Sequence, residues 1–219
     1  MSARVQTEIE AYRAIAARVS GRVVHECGLA LYCAPGVMPP ANRVTRCLAA
    51  AIRAERADRV LDLGCGTGIL ALCAARTAVE VVGTDIDPRA VDCSQVNAHL
   101  NAIQNVRFLL GDAYAPLAGA TFDLIVSNPP FYPADRLTQA PGPVCVQADD
   151  PLLDALIRGL RGHLAPGGRA CFVTSSLSDN AHVRDLLDHA ELTYQCRRLE
   201  PRNKGSQDIL LWTAHRSGG

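Results

Sequence analysis

The chain has 219 residues, 48% of them hydrophobic, and a formal charge of zero from 22 Lys+Arg against 22 Asp+Glu. That length and apolar share fit one domain with a substantial core. They exclude a disordered chain and, as a default, a strongly basic nucleic-acid binder. The charge is uneven, with nine Arg against five acids in residues 1–59. No stretch reaches the ~18 apolar residues of a membrane helix. The first residues, MSARVQTEIEAYRAIAARVSG, carry a charge every few positions and lack the apolar centre of a signal peptide. A cytoplasmic product with no membrane partner is expected. The nine Cys form no CxxC pair. They and the six scattered His are read as structural residues, with no metal site.

In chain order, Val5, Ile9, Tyr12, Ile15 and Val19 mark an amphipathic helix over 4–19, ended by Gly21. Short extended pieces follow around Gly28, then the loop APGVMPPANR. A helix is expected over roughly 42–55, with Asn42 as its cap. From residue 59, strands and helices alternate. RVLDL, VEVVGTDI, VRFLLGD, FDLIVS and RACFVTSS are strands. GTGILALCAART, PRAVDCSQVNAHLN, PLLDALIRGLRGHLAPGG and DNAHVRDLLDHAEL are helices. Such alternation implies right-handed βαβ units and a mostly parallel sheet. LTYQCRRLE and SQDILLWTAH have no helix between them. They are expected to form an antiparallel hairpin whose last strand enters the sheet against its neighbours.

Asp62-Leu63-Gly64-Cys65-Gly66-Thr67-Gly68 directly follows a strand and opens a helix. Glycines are needed where backbone turns sharply and approaches a ligand. Seventeen residues after Gly68, Asp85 ends the next strand, where an acid can accept two ribose hydroxyls. Asp87 stands before Pro88 and suits helix capping. Leu110-Gly111-Asp112-Ala113 closes the third strand, and Asn128-Pro129-Pro130-Phe131-Tyr132 ends the fourth.

The glycine spacing resembles motif I of the class I S-adenosylmethionine-dependent methyltransferases. The Asn-Pro-Pro-Phe element resembles that of the NPP(Y/F) N-methyltransferases, the HemK-like or "methyltransferase small" group. The resemblance covers roughly residues 35–215. It implies a Rossmann-like three-layer α/β sandwich with a seven-stranded, mostly parallel sheet and one antiparallel strand. It implies a core over 41–219, with residues 1–40 contributing a helix and a short extended cap to the acceptor site. The cofactor would be S-adenosyl-L-methionine, held by Asp62, Gly64, Cys65, Gly66, Gly68, Asp85, Ile86, Asp112, Ala113 and Asn128, with Asp112 on the adenine amino group. The acceptor would meet Asn128, Pro129, Pro130 and Phe131. In relatives, the Pro-Gly-Val segment and the Asn-Pro-Pro loop both approach it.

Members of this group methylate nitrogens conjugated to a planar π system. Such a lone pair is delocalised and poorly nucleophilic. The Asn128 side-chain oxygen and the Pro129 carbonyl can accept the two N–H bonds and raise electron density on the nitrogen. Phe131 can stack on the planar group. Bacterial release-factor glutamine methyltransferases share this core but carry a larger helical N-terminal domain. Only 34 residues precede Pro35 here. Phe at position 131, rather than Tyr, is commoner among adenine N6 enzymes acting on RNA, yet the net charge is zero. The expected acceptor is therefore an amide or amino nitrogen on a small metabolite or a glutamine-like protein side chain. RNA adenine N6 and a non-catalytic scaffold are the alternatives. The loop 133–150 is expected to close over the acceptor.

Overall fold

The computed structural model describes residues 14, 17–40, 43–53, 57–130, 132–133, 146–147, 151–176, 178–199 and 208–216. Of the first expected helix, residues 14 and 17–19 are described, and they are helical. Strands β1 (Arg22–Glu26) and β2 (Leu29–Cys33) pair antiparallel as a separate hairpin. Cys27 and Gly28 turn it, with φ of 53° and 75°. Two successive positive φ values are what a two-residue turn needs to match the twist of its strands. The Arg76 guanidinium closes this turn, donating to the Cys27 carbonyl at 3.0 Å and the Gly28 carbonyl at 2.8 Å. Glu26 accepts two bonds from Arg46, at 2.7 and 3.0 Å.

The remaining elements are α1 (Arg43–Arg53), β3 (Arg59–Leu63), α2 (Ile69–Ala74), β4 (Glu80–Asp85), α3 (Pro88–Leu100), β5 (Val106–Leu110), β6 (Phe122–Ser127), β7 (Tyr132–Pro133), β8 (Val146–Gln147), α4 (Pro151–His163), β9 (Leu164–Ser175), α5 (Asn180–His189), β10 (Leu192–Leu199) and β11 (Ile209–Arg216). Seven strands form one sheet in the order β10-β11-β9-β6-β3-β4-β5. Strand β11 runs antiparallel to both β10 and β9, and the other pairings are parallel. The expected insertion of the last strand is present. Helices α1, α2 and α3 share one buried cluster with Leu29 and Leu31 of the hairpin. Helices α4 and α5 pack in a second cluster with Leu61, Leu63 and Trp212. Along β6, Leu124 and Val126 belong to the first cluster and Ile125 to the second. A central parallel strand is buried on both faces, which is why FDLIVS reads as a continuous apolar run.

The structure corrects one boundary. LAPGG was expected to end helix α4, but the helix stops at His163 and Leu164 already pairs with Phe122. The register then shifts, and Leu124 pairs with Arg169. In this bulge, Ala165–Gly168 stand opposite Asp123 alone, three residues more than an even register would hold. A Cβ on Gly168 would lie 2.9 Å from the Phe122 carbonyl oxygen, so the glycines serve the bulge and not a helix stop.

Strand order reverses about β3. Consecutive units run β3-α2-β4-α3-β5 to one side, and β6 then returns to pair with β3 on the other. In open α/β sheets such a switch point leaves a crevice beyond the carboxyl ends of the strands.

Candidate functional site

The crevice is present. A cavity of about 240 Å³ lies beyond β3, β4 and β6, lined among others by Gly64, Gly66, Asp85, Ile86, Asp112, Ala113, Asn128 and Pro130. A smaller pocket of about 40 Å³ borders it, lined by Asp62, Cys65 and Thr45 and sharing Met38, Gly64, Gly66 and Asn128. The expected cofactor residues therefore converge from four separate loops. Gly68 is the exception, since it lines neither space.

The glycine loop is held by its neighbours. The Thr84 carbonyl accepts the N–H groups of Gly64 and Cys65, at 2.8 and 2.9 Å. Asp85 Oδ2 accepts the Gly66 N–H at 2.9 Å, and its Oδ1 accepts the Asp87 N–H at 3.0 Å. From behind, Ser94 Oγ donates to the Gly66 carbonyl at 2.9 Å. Gly66 has φ 55°, and a Cβ there would meet nothing within 4 Å. Gly68 has φ 77°, but a Cβ there would lie 3.0 Å from both Phe108 Cζ and Ser94 Cβ. The first glycine keeps an opening clear. The second permits packing.

Asp62 is 1% exposed. Its Oδ2 accepts the Ala71 N–H of α2 at 2.9 Å, and its Oδ1 is buried with no hydrogen-bond partner among the described residues. Burial raises its pKa to about 7, opposed by the Ala71 bond and reinforced by the charge of Asp85. Burial also raises the Asp85 pKa, against the backbone bonds from Asp87 and Gly66. Asp87 caps α3 through the Arg89 N–H, as expected. The Arg89 guanidinium bonds hold its pKa below the usual value. Asp85, Asp87 and Asp112 all border the large cavity; Asp87 is ion-paired with Arg89 at 2.7 Å, so Asp85 and Asp112 are the charges that bias its field toward a cation.

The Asn-Pro-Pro turn is anchored by Ser127, whose Oγ donates to the Leu63 carbonyl at 2.7 Å. This ties the end of β6 to the strand that feeds the glycine loop. Asn128 lines both spaces, and its Oδ1 is buried without a hydrogen-bond partner among the described residues. An unpaired buried carbonyl costs about 1–3 kcal/mol. A planar N–H donor bound here would recover that cost. Pro130 lines the cavity and Pro129 is buried. Phe131 lies outside the described residues, as does most of the loop 133–150, of which the backbone of Tyr132–Pro133 pairs parallel with Val146–Gln147. Gly36, Val37 and Met38 form a further wall of the large cavity.

Other wall and support residues were not among the expected set. Leu152 and Ala155 of α4 line the cavity, as does Thr84. In the sequence they read as ordinary core residues. Ser94 and Asn97 of α3 carry the loops from behind. Their only signal was polarity on the buried face of an amphipathic helix. Eight of the nine Cys are described, and all eight are free thiols, five of them buried. No helix among the described residues is long and apolar enough to cross a membrane.

Comparison with known proteins is consistent with this geometry. The methyltransferase small domain family matches residues 35–198. The release factor glutamine methyltransferase of Escherichia coli is 33% identical over 193 residues, covering 75% of this chain and 69% of that protein. A Methanocaldococcus jannaschii protein, named for protein N5-glutamine methyltransferase activity, is 32% identical over 73% of this chain and 83% of its own length. Among solved structures, a 16S rRNA methyltransferase of Thermus thermophilus superposes with a TM-score of 0.67 at 24% identity, over 89% of this chain and 49% of that one. A Pyrococcus furiosus methyltransferase does so with 0.64 at 19% identity, over 97% and 98%. At these identities the two structures speak for the fold alone.

Proposed function

Since the chain belongs to the methyltransferase small domain family and is an S-adenosylmethionine-dependent methyltransferase, we propose that it methylates the side-chain amide nitrogen of glutamine in a protein. The observation that carries this reading is Asn128, whose buried, unpaired Oδ1 stands where the two spaces meet. The names of the Escherichia coli and Methanocaldococcus jannaschii relatives support the same acceptor.

The residues fit the cofactor. Asp85 and Asp112 border a cavity suited to a ligand that is cationic at sulfur, and Gly66 leaves open space at its edge. Asp85 would accept the ribose hydroxyls. Ile86 and Ala113 would pack on the adenine, and Asp112 would accept from its amino group. Asp62 Oδ1, beside the small pocket, would take the α-ammonium, with Gly64 and Cys65 lining the approach. Gly68 would serve by letting the loop pack. When bound, the cofactor supplies an activated methyl group on a sulfonium.

The chain's part is to orient the acceptor. Asn128 Oδ1 and the Pro129 carbonyl accept the two amide N–H bonds and leave the nitrogen lone pair facing the methyl. As the N–C bond forms and the C–S bond breaks, positive charge grows on the nitrogen. Both acceptors then bind more strongly than in the ground state, which is the condition for raising the rate. Phe131 would stack on the planar amide. No general base is needed before transfer, and the proton leaves the nitrogen afterwards.

The test is transfer of labelled methyl from the cofactor into a cell extract divided into protein, RNA and small molecules. Label should appear in protein, and peptide mass spectrometry should place one methyl on a glutamine. Label recovered from RNA as N6-methyladenine would replace this reading.

A further inference from the structure

Helix α3 treats strand β2 as a neighbour in a sheet. Asn97 Oδ1 accepts the Tyr32 N–H at 2.6 Å, and its Nδ2 donates to the Tyr32 carbonyl at 3.0 Å. One turn on, Asn101 repeats the pattern on Ala30, at 3.0 and 2.7 Å. A primary amide carries one acceptor and a donor side by side, as a peptide edge does. The spacings match, since four helical residues rise about 6 Å and two strand residues about 6.6 Å. Two side-chain amides thus continue the edge of the hairpin, which is also held by Arg76, by the Arg46–Glu26 pair and by Leu29 and Leu31 in the core.

Asn97 has a second attachment. Its Nδ2 also donates to the Thr67 carbonyl at 2.9 Å, within the glycine loop. The side chain is fully buried. Tyr32 leads through the turn closed by the Val37 N–H on the Ala34 carbonyl, at 3.1 Å, into the wall formed by Gly36, Val37 and Met38. A single amide therefore bonds both the cofactor loop and the strand that carries this wall. Asn101 bonds Ala30 and its own helix.

We infer that Asn97 is a positioning residue for methyl transfer, setting the distance between the glycine loop and the Gly36–Met38 wall. This rests on reading the cavity as the meeting place of cofactor and acceptor. In-line transfer is sensitive to such spacing, and a displacement of about 1 Å can lower a rate ~10²-fold. Asn101 anchors the same hairpin without touching the loop, so it serves as the control.

The experiment compares wild type, Asn97→Ala, Asn97→Asp and Asn101→Ala in the full chain. Amide hydrogen exchange across residues 30–38 is followed with and without S-adenosylhomocysteine, and binding is measured by calorimetry. In wild type and Asn101→Ala, the ligand should slow exchange at Tyr32 and Val37 several-fold. Either Asn97 variant should lose that response while still binding the ligand. Asn97→Asp keeps the acceptor for the Tyr32 N–H and removes both donors, so it isolates the donor half, and Asn97→Ser, which keeps one donor and buries no charge, stands in if either variant does not fold. With methyl acceptor and cofactor saturating, turnover of the Asn97 variants should fall at least tenfold and that of Asn101→Ala less than threefold. Equal responses in the Asn97 and Asn101 variants, scaling with their melting temperatures, would reduce Asn97 to a structural anchor. Failure of the wild type to bind S-adenosylhomocysteine would instead overturn the cavity reading itself.

Discussion

Asp62 and Ala71 are joined across the glycine loop, with the carboxylate Oδ2 accepting the Ala71 N–H at 2.9 Å. Gly68 precedes α2 and has no side chain to cap it, so the strand supplies the missing acceptor. The other oxygen is buried with no hydrogen-bond partner among the described residues.

This arrangement has a pH signature. An unfolded Asp titrates near ~3.9, and burial raises the folded value to about 7. Between the two, the folded chain binds a proton that the unfolded chain has released. Stability therefore falls as pH rises through this window. Asp62→Asn keeps an acceptor for Ala71 and removes the titration. Its melting temperature should exceed that of wild type at pH 8, with the gap narrowing toward pH 4, while its cofactor affinity drops. A gap independent of pH in thermal melts would contradict the assignment.

Asp85 is committed to two backbone N–H groups and still borders the cavity. Asp85→Ala removes the proposed ribose contacts and also frees the Gly66 N–H. Bonds to a charged acceptor contribute ~1.5–3 kcal/mol, so affinity for S-adenosylhomocysteine should drop at least tenfold by calorimetry. Unchanged affinity would remove Asp85 from the ribose.

Asn128→Ala separates catalysis from stability. The buried Oδ1 lacks a partner among the described residues, so deleting it should leave the melting temperature unchanged or raise it. Turnover should fall by ~10²–10³, as on losing one preorganised group at a transition state. Cofactor affinity should change little. Near-normal turnover of the purified variant would refute the amide clamp.

The loop glycines should divide by phenotype. A left-handed Ala costs ~1–2 kcal/mol at either site. At Gly66 the new Cβ has open space around it at the cavity edge, so Gly66→Ala should lower cofactor affinity with modest destabilisation. At Gly68 it meets Phe108 and Ser94, and overpacking adds ~1–3 kcal/mol. Urea denaturation should rank Gly68→Ala as clearly the less stable. The opposite ranking would mean that the loop relaxes around residue 68.

The contrast shows what a sequence pattern carries. Gly64, Gly66 and Gly68 form one legible motif, but the pattern merges a ligand approach with a packing requirement. The βαβ order, the antiparallel last strand and the acids Asp85 and Asp112 were readable because each follows an apolar strand. LAPGG was misread because glycines that stop a helix and glycines that bulge a strand look alike. Polarity on a buried helix face marked Asn97 without naming its role, since the partners of Asn97 and Asn101, Ala30, Tyr32 and Thr67, are 30 to 71 positions away and contribute backbone only. Leu152 and Ala155 were indistinguishable from core, because a cavity wall and a core contact make the same demand on a side chain.

The place of β11 between β10 and β9 bears on the order of assembly. The segment β3-α2-β4-α3-β5 joins neighbours in sequence, and the β10–β11 ribbon is equally local. Strand β9, however, keeps an open edge until that ribbon docks on it. Local contacts form early and distant ones late. The half of the sheet that carries Asp62 and Asp85 should therefore acquire exchange protection before β9 does in a refolding experiment. Trp212, stacked on Phe172 across the last junction, is the indole whose fluorescence should report the closing step.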